Sequence, residues 1–490
     1  MNSRSILSYI KEGLTRLLKR NSESAFTDAK LYRSDEMEAA IELWKQMQQG
    51  VPPWVDGDTH TIRFGNTIAR QLASLITQNI DVKMEPAAGT DRTKADRMQE
   101  ALDDSFTHVA QEQLEKMIRM GGIMCKWNGE GLDYLTPDRF YITDYNSKGD
   151  ITGAVFFSFY SEGKKYYSRA EWHRFNVNGN NDYVIRNKAF ISDRDDDLGR
   201  EIPLTRTKWA DIEPEANING LEHPLFVYLK NPYSNTIDPD SPLGVSCFAE
   251  CVEELRWLDI AMSALGIETE DSKPVMFVDN TSIQYAKDHN ITLPRFVRGL
   301  DMGVSMDNTL QQWQPTMQVA NRKDGINFYL SIISYKCGFD PGYFVFNGQS
   351  ISMATATQVE ATERRTVNTV TAYRSLFDRP ASNGEGRVGY LHDIAYILDT
   401  METMTGEAAG YGNYQNYKIY ADFADLTQNE EENKLFDFQL SQQGYMSKAR
   451  YLVRHLGLTE EEAVQMVQEA EEEAAARMQS MQAGGLFAEE

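Results

Sequence analysis

The side chains best placed to do chemistry are the cysteines, histidines and acidic runs, and their spacing argues against a reactive centre. Cys247 and Cys251 stand one helical turn apart and could share a metal ion, but with no histidine near them a buried apolar role is the better reading. The seven histidines (His60, His108, His173, His223, His289, His392 and His455) show no H-E-x-x-H or other ligand spacing. Asp195-Asp196-Asp197 could attract a divalent cation, yet reads better as a solvated loop. No G-x-x-x-x-G-K-[ST] is present, so the chain cannot supply the usual P-loop for ATP hydrolysis. Asp340 and the threonines 355, 357, 362 and 366 form no catalytic dyad. The expectation is a protein without catalytic residues, metal or cofactor, and not an enzyme. An acidic enzyme with unrecognised paired carboxylates is the weakest alternative.

What the chain does carry is a layout of elements. From Ser241 to Phe377, two amphipathic helices bracket a small strand-bearing insert, and a Gly/Pro-punctuated loop then opens a third helix. The first helix follows Ser241-Pro242-Leu243-Gly244, with Ser246 as N-cap and Glu250 and Glu253 near the positive end of its dipole. Phe248, Cys251, Val252, Leu255, Leu258, Met262 and Leu265 recur at spacings of three and four, with Glu250, Glu253, Glu254 and Asp259 between them. This predicts a helix from Cys247 to Glu268, roughly 30 Å long, with an apolar and an acidic face. Asp271-Ser272 breaks it, and Lys273 to Val278 reads as a strand. A short helix near Ile283 to Asp288 and a second strand from Leu310 to Met317 follow. So small a unit cannot bury a good core alone, which predicts that its strands pair with neighbouring chains. A second strut, Val319 to Cys337, places Ile326, Tyr329, Leu330 and Ile333 on one side and stops at Gly338. The loop that follows ends at Ser350 or Ser352, either of which can cap a helix reaching Phe377 and resuming beyond Pro380 to Gly386.

Upstream, apolar periodicity predicts helices over Ser34 to Gln49, Thr61 to Gln78 and Lys94 to Met120. From Ile151 the period becomes two. Ile151 to Tyr160, Lys165 to Asn176 and Asp182 to Ser192 form a meander with turns at Gly163 and Asn178-Gly179. A later strand, Asn416 to Phe423, is expected to return to that sheet with Tyr417, Ile419 and Ala421 on one face and Lys418, Tyr420 and Asp422 on the other. The end of the chain is helical. Ser447 caps a helix ending near Leu456, Gly457 takes the C′ position, and Thr459 with Glu462 forms a capping box. From residue 401 onward there are seventeen acidic and six basic residues, and Glu469 to Ala476 reads as a solvated helix fraying into a tail.

Composition sets bounds. The 490 residues, 41% hydrophobic, allow two or more domains with a real core. Four cysteines without a C-x-x-C or a secretory leader suit the reducing cytosol and free thiols. No run of about 18 apolar residues exists to span a membrane. The basic amphipathic start, Arg4 to Arg20, reads as a helix docked on its own protein in preference to a nucleic-acid or membrane contact. A net charge of −24 argues against a static grip on DNA phosphates. It suits either an ordinary soluble acidic protein or the wall of a conduit through which a duplex slides.

Taken in order, these residues resemble the portal proteins of tailed bacteriophages, in particular the long-tailed branch. The resemblance rests on Pro242-Leu243-Gly244-Val245-Ser246, on Lys273-Pro274, on Thr355-Ala356-Thr357-Gln358-Val359, and on the pattern from Asp422 to Leu458. It covers about residues 40 to 475. The family often has Glu where this chain has Gln358. The resemblance implies an α+β fold: a helical and β wing (1–240), stem helices (241–270 and 318–338) around a small α/β clip (271–317), a channel loop (339–352), a long wing helix with a returning strand (353–428), and a helical crown (429–490). It implies a homo-oligomer, twelve-membered by the family rule, at one capsid vertex of the virion, assembled in the bacterial host cytoplasm. Double-stranded DNA would pass through it during packaging and ejection. The partners implied are the large terminase subunit, head-completion or adaptor proteins, and major capsid and scaffold proteins, with no membrane. Tyr343, Phe344, Phe346, Asn347 and Gln349 would face DNA, offering uncharged groups that do not trap phosphates. Lys273, Phe277, Arg295, Arg298 and Trp313 would contact terminase or connector. Glu250, Glu254, Asp259 and Lys323 would belong to the stem. The alternative reading is a minor capsid or scaffold-like interaction protein that does not enclose DNA.

Overall fold

The computed structural model describes residues 25–26, 29–86, 92–128, 131–146, 149–176, 181–194, 197–273, 275–293, 297–300, 310–313, 316–346, 364–377, 379–380, 387–405, 417–423, 430–443, 446–456 and 462–470. The fold is α+β. One compact unit comprises Met1–Ser352 and Thr362–Ala424, and a second comprises Met353–Ala361 and Asp425–Glu490.

In the first unit, helix α1 (Asp35–Gln49) is capped by Ser34, whose Oγ accepts from the Met37 N–H at 3.3 Å, and buries Met37, Ile41 and Trp44. Helix α2 (Phe64–Thr77) starts three residues later than the pattern predicts, because Arg63 sits in the left-handed region at φ 53° and turns the chain. Its Ile68, Leu72 and Ile76, one turn apart, are fully buried. Strand β1 (Asp81–Pro86) was not foreseen. The single helix expected over Lys94 to Met120 is two: α3 (Arg92–Ser105) and α4 (Ala110–Met120). The break falls at Phe106, which leaves helical geometry and buries its ring 5.8 Å from Phe377, while the weak helix formers that follow make one 3-10 turn.

The β layer is larger than the sequence pattern suggested. Strands β2 (Gly122–Trp127), β3 (Leu132–Leu135), β4 (Phe140–Tyr145), β5 (Ile151–Glu162), β6 (Lys165–Phe175), β7 (Asp182–Ser192), β8 (Arg200–Ile202), β9 (Glu215–Asn219) and β10 (Phe226–Lys230) form two sheets. One is β10-β2-β3; the other runs β4-β5-β6-β7-β8, with β9 sharing the β7 edge beside β8. The expected meander is its centre, and Gly163 at φ 61° makes the first turn. Asn178-Gly179 lies outside the described residues. Alternate residues of β5 are buried on both faces: Val155 and Phe157 join Phe26, Trp172 and Phe190, whereas the Phe156 ring meets His173 and Phe226.

The stem entry is rooted in this body. Asn231 Nδ2 donates to Ile118 O at 3.0 Å and to Val245 O at 2.8 Å, and Cys247 N to Ile118 O at 3.0 Å. Ser246 Oγ accepts from Phe248 N at 3.4 Å, but it opens only a 3-10 turn (Ala249–Cys251); the α-helix itself, α5 (Val252–Asp271), begins later than expected. Then come β11 (Val275–Asp279), α6 (Asn280–Asp288), β12 (Val297–Leu300) and β13 (Leu310–Trp313). Strand β12, not anticipated, pairs parallel with β11, and β13 pairs antiparallel on its other side. Within the chain β11 is therefore paired on both edges, by β12 and by β13. Helix α7 (Val319–Lys336) closes the excursion, and Gly338 at φ 84° turns the chain away.

Helix α8 is described over Arg364–Phe377; its expected start at Thr355 lies outside the described residues. A two-residue pair, β14 (Arg379–Pro380) with β15 (Arg387–Val388), leads to α9 (Tyr390–Thr405), the resumed helix. Strand β16 (Tyr417–Asp422) buries Ile419 and Ala421 as the alternation predicted, yet it pairs with β1 and not with the meander, a correction. The other side of β1 is held by Gln99, which accepts from Met84 N at 2.7 Å and donates to Val82 O at 2.8 Å.

The second unit contains α10 (Glu430–Gln442) and α11 (Lys448–Leu456). Ser447 caps α11 through Arg450 N at 3.2 Å, as expected. His455 Nε2 meets Asp437 Oδ2 at 2.8 Å across the pair. Gly457, Thr459 and residues 471–490 lie outside the described residues.

Candidate functional site

Helices α5 and α7 run antiparallel and are fastened at both ends. At the base, Lys336 Nζ donates to Glu254 Oε1 at 2.6 Å and to Glu250 O at 2.9 Å, and Cys251 Sγ lies 3.3 Å from Cys337 Sγ. At the far end Glu268 accepts from Gln318 N at 2.8 Å and pairs with Arg322, so its carboxyl sits below the usual range. All four cysteines are free and buried, as the apolar reading expects; burial pushes the Cys125 thiol up to about 12. Among the described residues no group of three or more His, Cys, Asp or Glu could hold a metal, and no helix is long and apolar enough to cross a membrane.

The stem residues named from sequence divide. Glu250 and Lys323 are exposed, and Glu254 is the base clamp. Asp259 departs from the expected acidic face: it is only 4% exposed. Its Oδ2 accepts from Trp54 Nε1 and its Oδ1 from Ile62 N, each at 2.9 Å. A loop of residues 52–63 is thereby strapped across α5, and burial raises the Asp259 pKa against those bonds. Ser263 continues the strap, accepting from His60 N at 2.9 Å.

The loop after α7 is also fastened. Asp340 Oδ2 accepts from Thr366 Oγ1 at 2.9 Å, and Thr369 Oγ1 donates to Gly338 O at 2.7 Å. Tyr343 and Phe344, expected to face DNA, turn half-buried into an aromatic group. Phe344 lies 5.2 Å from Phe64 and 5.0 Å from Phe339, and Gln71 Nε2 donates to the Tyr343 hydroxyl at 2.8 Å. Their packing follows from Gly338, which folds the loop back over α2. Phe346 is 62% exposed, its backbone pinned to Asn327 at 3.0 Å. Asn347 and Gln349 lie outside the described residues. In the clip, Lys273 and Arg298 are exposed, Phe277 is half-buried, Trp313 pairs with Val275, and Arg295 lies outside the described residues.

Apolar burial stops partway along the stem. Among the residues from 260 to 325 whose side chains are described, Ala286 alone is buried. Trp257, Ile267, Val319, Phe328 and Tyr335 are all exposed, and a groove of about 350 Å³ opens between the helices beside Ala261, Gly325 and Tyr329.

No protein-family model matches the sequence, and no curated protein matches it. Among solved structures, the chain is similar to the neck of an empty GTA particle computed with C6 symmetry. That likeness has a TM-score of 0.43 at 10% identity, over 91% of this chain and 98% of that one.

The sequence reading missed one charged constellation. Arg169, Glu171 and His173 alternate along β6, so a period of two puts all three on one face of the strand. Glu171 Oε2 accepts from Lys126 Nζ at 3.0 Å and from Arg169 Nη2 at 2.8 Å, and Oε1 lies 2.6 Å from His173 Nε2. His173 Nδ1 lies 2.5 Å from the Tyr183 hydroxyl. Burial pushes His173 below the ordinary histidine value despite Glu171, so the neutral ring donates from Nε2 to the carboxylate and accepts the tyrosine proton at Nδ1. Burial also opposes ionisation of Glu171, yet Lys126, His173 and Arg169 outweigh it and hold the carboxyl far below the usual range. The available signal was the R-x-E-x-H alternation on a strand whose neighbours are apolar.

Proposed function

We propose that this chain is the subunit of a portal-type ring, a non-enzymatic channel at one capsid vertex of a virion that passes double-stranded DNA and joins head to tail. One observation carries the reading: among the residues between 260 and 325 whose side chains are described, the distal stem, β11 and α6 bury a single side chain, Ala286. A paired rod and a clip with so few buried side chains among those residues gain too little from burial to offset their ordering entropy alone, so they call for neighbours. Exposed aromatic residues on both stem helices supply the apolar surface that adjacent copies would cover. In the ring, α5 and α7 form the stem and β11 to β13 with α6 form the clip that meets the terminase motor and then head-completion proteins. Phe346, the exposed aromatic of the described loop, faces the bore, and the net charge of −24 keeps phosphates from sticking.

Native mass spectrometry of the full chain, with class averages viewed along the ring axis, tests this. A closed ring of about a dozen copies with a central hole is expected. A chain that stays monomeric at micromolar concentration, alone and with capsid, scaffold and motor proteins added, overturns it.

A further inference from the structure

The groove beside Ala261, Gly325 and Tyr329 occupies one flank of the stem. Trp257, 46% exposed, stands one turn before Ala261 on the same side of α5. Asp259 and Ser263, which hold the strap, are each two residues from Ala261 and so lie on the opposite side of the helix, at ~100° per residue. Gly266, two turns on from Asp259, continues that second flank beyond the strap. The two flanks are thus unlike. A closed ring needs such a difference, because head-to-tail contacts join two distinct faces on opposite sides of each subunit.

Two glycines find no explanation within the chain. Gly266 and Gly325 sit in helix interiors, where only proline is less favourable. Both are exposed, and a Cβ added to either meets no described atom within 4 Å, whereas one added to Gly65 of α2 would meet Phe248 at 3.1 Å. A helix keeps such a position bare where another backbone comes close from outside. The levels agree as well. Cys251 beside Cys337 fixes the base of the antiparallel pair, and Glu268 on Gln318 and Arg322 fixes its far end. Between these marks Gly266 falls level with Arg322, one turn from Gly325. Asp259, with Ile62 N bonded to it, falls level with Tyr329. Size is also adequate. Helix α5 has 20 residues, about 30 Å, and two helices abreast are about 20 Å wide, so a flank presents about 600 Å². With the strap added it approaches the roughly 800 Å² that one partner gives to a standard interface.

We propose, building on the ring reading, that the groove receives the strap flank of a second copy of this chain. Helix α5 of one subunit approaches at Gly266 against Gly325 of the next. Ile62 of the strap, 41% exposed, lies on Trp257 and Tyr329 of that next copy. The groove is complete only when the second copy fills it.

Native mass spectrometry of full-length variants, read against concentration, gives one test. Gly325→Leu fills the groove, and its first added atom touches nothing in its own chain. It should leave the thermal midpoint of the dissociated chain unlowered and raise the concentration for half-assembly at least tenfold, with Gly325→Ala in between. Cross-linking gives the second. Glu270→Cys and Asn321→Cys, made together in one chain, lie on opposite flanks, so a short bis-maleimide joins them only between copies, and the native thiols are buried. A ladder reaching the full ring is expected. Four results each overturn the docking and leave the ring reading standing. These are wild-type rings with no ladder from the cysteine pair, unchanged assembly of Gly325→Leu, a cross-linked dimer from Asn321→Cys alone, and an Asn321→Cys thiol still labelled by a bulky maleimide in the ring. The dimer would mean that two grooves meet face to face, and the labelling that a different protein covers the groove. A chain that forms no ring overturns both.

Discussion

Replacing Phe328 on α7 separates folding from assembly. Its side chain is 63% exposed in the single chain, so Phe328→Ser removes almost no intrachain packing and should change monomer stability by less than about 0.5 kcal/mol. If a neighbouring copy covers the ring, the buried area matters. A phenylalanine offers roughly 200 Å², and 63% of that is about 125 Å² still available to a neighbour. At ~25 cal/mol per Å² this is about 3 kcal/mol per interface, or more than a hundredfold in the association constant. The assay is paired: urea unfolding of the dissociated chain, and native mass spectrometry against protein concentration. The expected result is an unchanged unfolding midpoint with ring formation shifted to much higher concentration. Unaltered ring formation would refute the argument that this face is covered. So would a loss of more than 1 kcal/mol in the monomer, which would mean that Phe328 packs within its own chain.

Other consequences follow from the buried polar groups. Glu171→Gln leaves Lys126 and Arg169 buried without their counter-charge and should cost about 3–5 kcal/mol in chemical denaturation, most of it recovered by adding Lys126→Met. Both Glu171 and His173 have depressed folded pKa values. Their contribution is therefore full above the unfolded values and is lost as pH falls, first below about 6.5 for His173 and then below about 4.3 for Glu171. A pH series of unfolding midpoints checks the order, and a stability that rises on acidification through pH 6 would contradict it. Asp259→Ala leaves Trp54 Nε1 and Ile62 N without their acceptor and should cost about 2 kcal/mol, with faster hydrogen exchange confined to the strap at residues 52–63. The four thiols should ignore a disulfide reagent at pH 8 in the native protein and titrate together after unfolding, since all are buried with raised pKa values.

What could be read from sequence was local. The 3.6-residue period and its breaks located α1, α5 and α7 to within a few residues, and the switch to a period of two located β5 to β7 and the Gly163 turn. The errors arose where a distant segment decided the outcome. Asp259 has the spacing of an exposed acid, but a tryptophan 205 residues away brings it a donor and covers it. Strand β12, Val-Arg-Gly-Leu, is too short to show a period and exists because β11 offers it an edge. Strand β16 announced its two faces correctly; its partner β1 could not be named, because alternation says which side is buried and nothing about which strand lies beside it. The loop aromatics show the same limit: the resemblance implied a DNA-facing role for Tyr343 and Phe344, and nothing in their local sequence announced that Phe344 packs edge-on against Phe64.

The pairing of β1 with β16 also orders events in time. Lys83 and its partner Asp422 are 339 residues apart. At ~5–20 residues per second a ribosome needs about 17–70 s to travel between them. Throughout that interval Gln99 can already close one edge of β1, while the other stays open. Asp81, Lys83 and Glu85 put alternating charges along the waiting strand, which discourages pairing with a nascent neighbour. The rod and its head, residues 252 to 336, leave the ribosome before the body that carries them can shut. A finished docking partner therefore becomes available only after Asp422 has been made, which places assembly after the synthesis of both strands of that pair.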